Sequence, residues 1–298
     1  MFIILKNTKL ILTFFTLWLS IFFNEKLEDY TAYFCILSLG ILHGANDLGI
    51  GKKTLHAHAF ISKKWILLLI YVLAIFSVAF LLMQFPTMTL TLFVLFSAYH
   101  FGEQHWESLI SNKGVFAKMF MTAYGMSIFT LLFSAHSLLV SDIIQDISNV
   151  RLSPTLIQMS MYASLAITAI LYAIKYQKTF EYSFTLRQIF YLLVFFVVFN
   201  STTLLWAFAI YFIFWHSLPS LVDQMNFLYG RTDFKGFVMF VKSSWLYWAM
   251  AVLSLGAYYF ILKQYLVLEL SMFFAFLTAL TMPHIFLMYL QSRFVYHI

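Results

Sequence analysis

Charged residues are scarce in this sequence. Only 10% of its 298 residues are Asp, Glu, Lys or Arg, whereas 62% are hydrophobic. A soluble domain carries roughly a quarter charged residues, so this composition excludes an ordinary soluble protein and predicts one built in a lipid bilayer. The apolar runs are too long for barrel strands and do not alternate with polar residues, which excludes an outer-membrane β-barrel.

The sequence also lacks the residues that several kinds of chemistry need. Its single cysteine, Cys35, lies in an apolar run, so nothing indicates disulfides or thiol chemistry. No lysine lies near the middle of a predicted span, which excludes a retinal Schiff base. Three further patterns are missing: the HxxxH and HxxHH boxes of membrane di-iron enzymes, nucleotide-binding glycine motifs and a CxxCH haem attachment site. The mid-membrane acidic residues of proton-coupled transporters are missing as well.

Long hydrophobic runs predict an all-α fold, a polytopic transmembrane bundle of about ten helices. No Pro/Gly-rich linker divides the chain, so residues 1–298 are predicted to form a single domain. The first apolar stretch lacks a signal-peptide cleavage site and is predicted to stay as the first span. The polar segment 141–153 is interpreted as a loop or an interfacial helix. The predicted spans are 9–23, 30–50, 65–84, 87–106, 116–140, 155–175, 186–199, 202–224, 243–262 and 270–290.

The distribution of Lys and Arg predicts the orientation in the membrane. With ten spans and a cytoplasmic N-terminus, 15 of the 18 basic residues fall on the inner side, and only Lys26, Arg151 and Lys263 fall on the outer side. Membrane proteins orient by this bias. Both termini are therefore predicted to be cytoplasmic. The net charge of +6 has the same explanation, and no nucleic-acid partner is expected.

Four histidines are predicted to lie at one depth in the bundle. His43 and His100 come 13 residues after the starts of their predicted helices, and His216 and His284 come 14 residues after theirs. The four helices run in the same direction, so each imidazole lies roughly 20 Å from the outer end. A lone intramembrane histidine usually hydrogen-bonds a neighbouring helix. Four at one level favour a metal site, for which neutral imidazoles suit iron, copper and zinc.

A carboxylate accompanies two of these histidines. Asp47 is four residues after His43, and Glu103 is three residues after His100, so each carboxylate is predicted to share a helix face with its histidine. A carboxylate there can accept the imidazole N–H and fix its tautomer. The alternative is that both are interfacial charges. His105 projects roughly 140° away from His100 and is predicted to lie at the membrane interface.

Four short motifs carry these histidines: His43-Gly-Ala-Asn-Asp47, Tyr99-His-Phe-Gly102, Trp215-His-Ser217 and Pro283-His284. Together they resemble the Brp/Blh family of membrane β-carotene 15,15′-dioxygenases, over nearly the whole chain. The resemblance implies a non-haem Fe(2+) enzyme that uses O₂ to split the central double bond of β-carotene into two molecules of all-trans-retinal. It also implies a multi-pass location in the bacterial inner membrane and a microbial rhodopsin as the retinal acceptor.

One position departs from the family pattern. Many members carry a histidine four residues after the one that matches His216, and here that residue is Ser220. Either the fourth ligand is His284, as its depth in the membrane indicates, or the site has three imidazoles and an empty ligand position at Ser220. A third possibility is that the chain is a divergent relative with altered activity. The candidate ligands are His43, His100, His216 and His284.

Two other functions stay open at this point. Bis-histidine ligation across helices is also typical of membrane electron-transfer proteins that bind haem, which a strong Soret band would reveal. Aromatic residues form 20% of the chain and could line the cavity of a non-catalytic carotenoid or isoprenoid carrier. Unchanged β-carotene that co-purifies with metal-free protein would favour the carrier. The sequence does not identify the residues that bind the substrate.

Overall fold

The computed structural model describes residues 2–55, 63–106, 109–110, 114–263 and 266–295. As predicted, this part of the chain is all-helical, with eleven helices and no strand. The helices are α1 (Phe2–Ser20), α2 (Glu25–Thr54), α3 (Lys64–Gln84), α4 (Pro86–Trp106), α5 (Val115–Ala135), α6 (Ser137–Ser148), α7 (Pro154–Lys175), α8 (Tyr182–Ser201), α9 (Leu204–Tyr229), α10 (Phe234–Leu262) and α11 (Glu269–Val295).

Eight of these helices are long and apolar enough to cross a membrane, so the chain is a membrane protein. They are α2, α3, α5 and α7 to α11. The described apolar part of α1, Thr8–Ser20, is shorter. Helix α4 has the length of a span but ends in the polar Tyr99–Trp106 stretch. The count of about ten crossings and the orientation of the termini stay predictions.

Short polar side chains fix where several helices begin. Asn24, Ser153, Thr203 and Asp233 each accept the backbone N–H of the residue three positions later, at 2.9–3.3 Å. Such a side chain satisfies a donor that the first turn of a helix leaves without a partner. The predicted tight reversal at 200–203 is confirmed, because α8 ends at Ser201 and Thr203 caps α9.

Two predicted boundaries were wrong. The predicted fifth span ran to residue 140, but α5 ends at Ala135 and a separate helix, α6, begins at Ser137. The backbone leaves the helical conformation at His136, with φ −123° and ψ 36°, which the apolar run does not reveal. The ninth predicted span corresponds to α10, which begins at Phe234, nine residues earlier than predicted. Polar residues in the first turns of α10 lower its hydropathy but do not prevent it from being helical.

The described chain divides into two compact units, each built from separate stretches of sequence. In the first unit α5 packs on α7, and the start of α9 packs on the start of α2. In the second unit α11 packs along α3. The single-domain organisation stays a prediction. The first unit comprises Met1–Ile36, Val94–Asp142 and Arg151–His216, and the second comprises Leu37–Phe93, Ile143–Val150 and Ser217–Ile298.

Carboxylates anchor two of the helices that carry candidate ligands. In the first unit, Glu28 Oε2 accepts the backbone N–H of Thr203 at 2.7 Å, just before α9. In the second unit, Asp146 accepts the backbone N–H groups of Val267 and Leu268, just before α11. A negative charge at the N-terminal end of a helix is stabilised by the helix dipole. These contacts therefore fix the starts of the helices on which His216 and His284 lie.

Candidate metal centre

In the second unit, His43 of α2 and His284 of α11 form a buried imidazole pair. Their ring centroids are 5.0 Å apart and their planes are nearly perpendicular, at 88°. The two residues are only 5% and 4% exposed. Position 44 lies directly against the second ring, since a Cβ on Gly44 would be 3.6 Å from Nδ1 of His284. The motif that begins at His43 therefore meets the Pro283-His284 motif within one unit.

The tautomer of His43 is set by an irregular turn of its own helix. Its Nδ1 donates to the carbonyl oxygen of Gly40. Gly40 is the last residue of Ile36–Gly40, a segment of α2 with π-helical hydrogen bonding. Single π-turns inside α-helices often occur at functional sites. Because Nδ1 carries the proton, Nε2 is the nitrogen of His43 with a lone pair suited to a metal.

Helix α2 is also interrupted just after His43. Ala45 and Asn46 form a turn, and a new helical segment begins at Asp47. Asn46 anchors this break to α10, because its Nδ2 donates to the carbonyl of Phe240 at 3.1 Å and its Oδ1 accepts from the hydroxyl of Ser243 at 2.7 Å. The amide of the first motif thus holds the interruption in place.

Asp47 serves the histidine of another helix. Its oxygens lie 2.8 and 3.0 Å from Nδ1 of His284, which donates to the carboxylate, and its Oδ2 also accepts the hydroxyl of Tyr71 at 2.5 Å. The expectation that Asp47 would hold the ring of His43 was wrong. The i, i+4 rule requires an uninterrupted helix, and the turn between the two residues moves Asp47 off the shared face.

In the first unit, His100 of α4 and His216 of α9 form another buried pair. Their ring centroids are 4.9 Å apart at 76°, and the residues are 7% and 2% exposed. The His216 ring lies between aromatic side chains, with the centroid of Phe101 at 4.1 Å and that of Phe212 at 5.5 Å. His216 itself belongs to a π-helical segment, Phe212–Ser217. Helices α2 and α9 therefore each carry a candidate ligand within or just after a π-helical segment.

Helices α4 and α5 cross at very short distance beside His100. A Cβ on Gly102 would lie 1.8 Å from the carbonyl oxygen of Met121, and a Cβ on Gly125 would lie 1.9 Å from that of Ala98. Any side chain at either position would clash with backbone. Small residues at such crossings are typical of membrane helices. The glycine of the Tyr99-His-Phe-Gly102 motif is therefore required by packing.

Two polar residues follow His100 on α4. Glu103 is 6% exposed, and its Oε1 accepts the hydroxyl of Tyr99 at 2.6 Å. Gln104 donates from Nε2 to the backbone carbonyl of His216 at 3.1 Å. The side-chain amide of Gln104 thus links α4 to α9, the two helices that carry this pair. The predicted contact between Glu103 and the His100 ring stays a prediction.

His105 lies in a separate polar cluster of the first unit. Its Nε2 is 2.9 Å from Oε1 of Gln188 and 3.2 Å from the hydroxyl of Tyr124. Its ring is nearly parallel to that of Trp215, with centroids 6.5 Å apart. His105 is half-buried among side chains of α5, α8 and α9, and its place at the membrane interface stays a prediction.

Ser220, the departure from the family pattern, lies in the second unit and is 6% exposed. Its hydroxyl oxygen accepts from Nε2 of Gln224 at 3.1 Å. The same amide nitrogen is 3.9 Å from Sδ of Met288, one helical turn beyond His284 on α11. Position 220 therefore faces the helix that carries His284, and its role as a ligand position stays a prediction.

The structure brings the four candidate ligands together as two pairs, one in each unit. Within the described residues, no three His, Cys, Asp or Glu side chains lie close enough to hold a metal ion by themselves. The donor chemistry nevertheless fits Fe(2+), because oxygen acceptors hold Nδ1 of His43 and His284 and direct ligation to Nε2. Within each pair the edge-to-face rings leave no room for a porphyrin between them.

Two residues of these sites, Tyr71 and Gly125, were not predicted from the sequence. A signal existed for each. Tyr71 and Ser77 are the only hydroxyl-bearing residues in the apolar helix α3, and a hydroxyl in a membrane helix needs a partner. Gly125 is the only glycine of α5, which points to a close helix contact. Neither signal identifies the partner.

Comparison with known proteins gives one match. A family model described as "Beta-carotene 15,15'-dioxygenase" matches residues 34–291, a range that contains all four candidate ligands. No curated protein and no solved structure matches the chain.

Proposed function

The chain belongs to the β-carotene 15,15′-dioxygenase family, and we propose that it cleaves the central double bond of β-carotene with O₂ into two molecules of all-trans-retinal. Each retinal aldehyde receives one oxygen atom of O₂. The family match supports dioxygenase chemistry in general. The observation that carries the specific proposal is the presence of two buried imidazole pairs on the family-like motifs.

The proposed cofactor is non-haem Fe(2+), with His43, His100, His216 and His284 as its ligands. The chemistry of the second unit supports it, since the protons of His43 and His284 lie on Nδ1 and point to oxygen acceptors. Two carboxylates are also buried near the pairs, but they are not among the proposed ligands. Asp47 accepts a hydrogen bond from the imidazole of His284, and Glu103 accepts one from the phenol of Tyr99. When bound, the iron would bind O₂ and activate it beside the polyene, while the cleaved double bond supplies the electrons that reduce it.

The contribution of the chain is to orient the substrate and to exclude water. Phe101 and Phe212 form an apolar wall against His216. Such a wall suits a conjugated hydrocarbon that offers no hydrogen-bonding group. Positioning of a single double bond at the ligands would then select the cleavage site.

The substrate and the product both dissolve in lipid, which agrees with the eight long apolar helices of the chain. We place the reaction in the bacterial inner membrane as part of the proposal. A microbial rhodopsin is the proposed acceptor of the retinal.

Expression in cells that make β-carotene tests the proposed function. We expect the orange colour to fade and retinal to accumulate, and we expect His100→Ala to keep the colour. Purified protein should contain iron and lack a Soret band. Apocarotenals of other lengths would relocate the cleavage site, and unchanged β-carotene beside iron-loaded protein would overturn the proposal.

A further inference from the structure

We propose that Tyr71 is a positioning residue of the metal centre that acts through Asp47 on His284. The proposal deepens the proposed function, since it assumes that the site binds a metal ion. It rests on a chain of three side chains from three helices of the second unit: the phenol of α3, the carboxylate of α2 and the imidazole of α11.

Asp47 needs both of its donors. The residue is 2% exposed, and among the described residues its only ion-pair partner is His284. A buried carboxylate without a lysine or arginine relies on hydrogen-bond donors to offset its lost hydration. The imidazole N–H and the phenol O–H supply two such donors at 2.8 and 2.5 Å. Loss of the phenol would leave Oδ2 only its 3.0 Å contact with the imidazole.

The phenol also fixes the direction in which the carboxylate points. Two donors from different helices hold Asp47 in one orientation, so its Oδ1 stays within hydrogen-bonding distance of Nδ1 of His284. A carboxylate held in this way keeps the proton on Nδ1 and raises the basicity of Nε2 as a metal ligand. The expected role of Tyr71 is therefore to orient and strengthen His284 without touching the metal.

A second hydroxyl of the same helix behaves differently. Ser77 donates to the carbonyl of Leu73 in its own helix, at 2.8 Å, as hydroxyl groups in apolar helices commonly do. The hydroxyl of Tyr71 instead reaches a buried carboxylate on another helix. The hydroxyl of Tyr71 is therefore the one placed to influence the centre.

A double-mutant cycle on the purified full chain tests this. Tyr71→Phe, Asp47→Asn and the double variant are compared with wild type by anaerobic Fe(2+) titration against a chelator and by the visible spectrum of the Co(2+)-loaded protein. We expect Tyr71→Phe to bind Fe(2+) about 10-fold more weakly and to shift the Co(2+) bands. The double variant should bind no more weakly than Asp47→Asn, because Tyr71 acts through that carboxylate.

Tyr172→Phe is the matched control, since it removes a phenol that hydrogen-bonds Thr185 at 2.6 Å in the first unit. Metal affinity of Tyr71→Phe equal to that of this control would overturn the proposal, as would a loss that adds fully to that of Asp47→Asn. The melting temperature of the metal-free variants separates a folding defect: a loss of affinity matched by loss of the fold assigns Tyr71 a structural role instead.

These measurements do not use β-carotene, so they separate the inference from the proposed function. The predicted coupling in a protein that forms no retinal would support the inference and contradict the function. A wild-type protein that binds neither Fe(2+) nor Co(2+) would contradict the inference.

Discussion

The two histidine pairs are held by different means. His43 and His284 in the second unit are fixed by oxygen acceptors, one a backbone carbonyl and the other the Asp47 carboxylate. His100 and His216 in the first unit lie beside aromatic rings, with the centroid of Phe101 4.1 Å from that of His216. The close crossing of α4 and α5 lies beside His100. The described contacts of the pair in the second unit (the second pair) are therefore hydrogen bonds to oxygen, and those of the pair in the first unit (the first pair) are with aromatic rings.

This difference suggests a division of work within the proposed centre. Oxygen acceptors tune how strongly an imidazole binds a metal. Aromatic walls keep water away and accept an apolar ligand. We therefore expect substitutions around the second pair to change metal affinity, and substitutions around the first pair to change packing and substrate handling.

The largest expected effect tests whether the two pairs form one site. His100→Ala and His284→Ala remove one imidazole from each pair, and each should abolish iron binding and retinal formation. Iron content and retinal yield of the purified variants are the measurements. His105→Ala is the control, because this half-buried histidine lies in a separate cluster. The His105→Ala protein should keep its iron. Full iron content in either His100→Ala or His284→Ala would mean that the two pairs do not form one iron site.

A glycine substitution tests the role of shape at the first pair. Gly102→Ala places a methyl group 1.8 Å from the carbonyl oxygen of Met121, so the helices must separate. We expect a loss of stability of about 1–3 kcal/mol or more, with loss of activity. Gly44→Ala, beside the second pair, would make only ordinary contact at 3.6 Å and should melt near wild type. Equal melting temperatures for the two variants would contradict this reading of the first pair.

The carboxylates test the electrostatic side. Asp47→Asn keeps the shape but loses the charge that faces Nδ1 of His284, so Fe(2+) affinity should fall by about 10–100-fold. Glu103→Gln should have a smaller effect, because glutamine keeps an oxygen that can accept the phenol of Tyr99. Chelator competition measures both. Equal losses would mean that the two pairs are tuned in the same way.

The smallest expected effect concerns the departure from the family pattern. Ser220→Ala removes a hydroxyl that accepts one hydrogen bond from Gln224, so it should cost about 1 kcal/mol and leave the iron content unchanged. Thermal unfolding and iron analysis measure these outcomes. A clear loss of iron would make Ser220 part of the coordination. Recovery of iron when Ser220→His is added to His284→Ala would mark position 220 as a ligand position that this chain has vacated.

Much of the architecture could be predicted because it depends on local properties. Long apolar runs predicted the helices, and short cap residues such as Thr203 explain the reversal before α9. The boundary at His136 could not be predicted, since the apolar pattern continues across a backbone break. The level of the four histidines along their helices predicted which residues to compare, but not which would be neighbours.

The sequence by itself determined that this is a helical membrane protein of the β-carotene dioxygenase family, with four histidines on short motifs. Composition, the length of the apolar runs and the order of the motifs suffice for this, because each is a property of the linear sequence. Only the tertiary structure decided that His43 pairs with His284, that Asp47 holds the latter and that Tyr71 reaches Asp47. These contacts join helices far apart in sequence and depend on an interruption of α2, which no helical periodicity predicts.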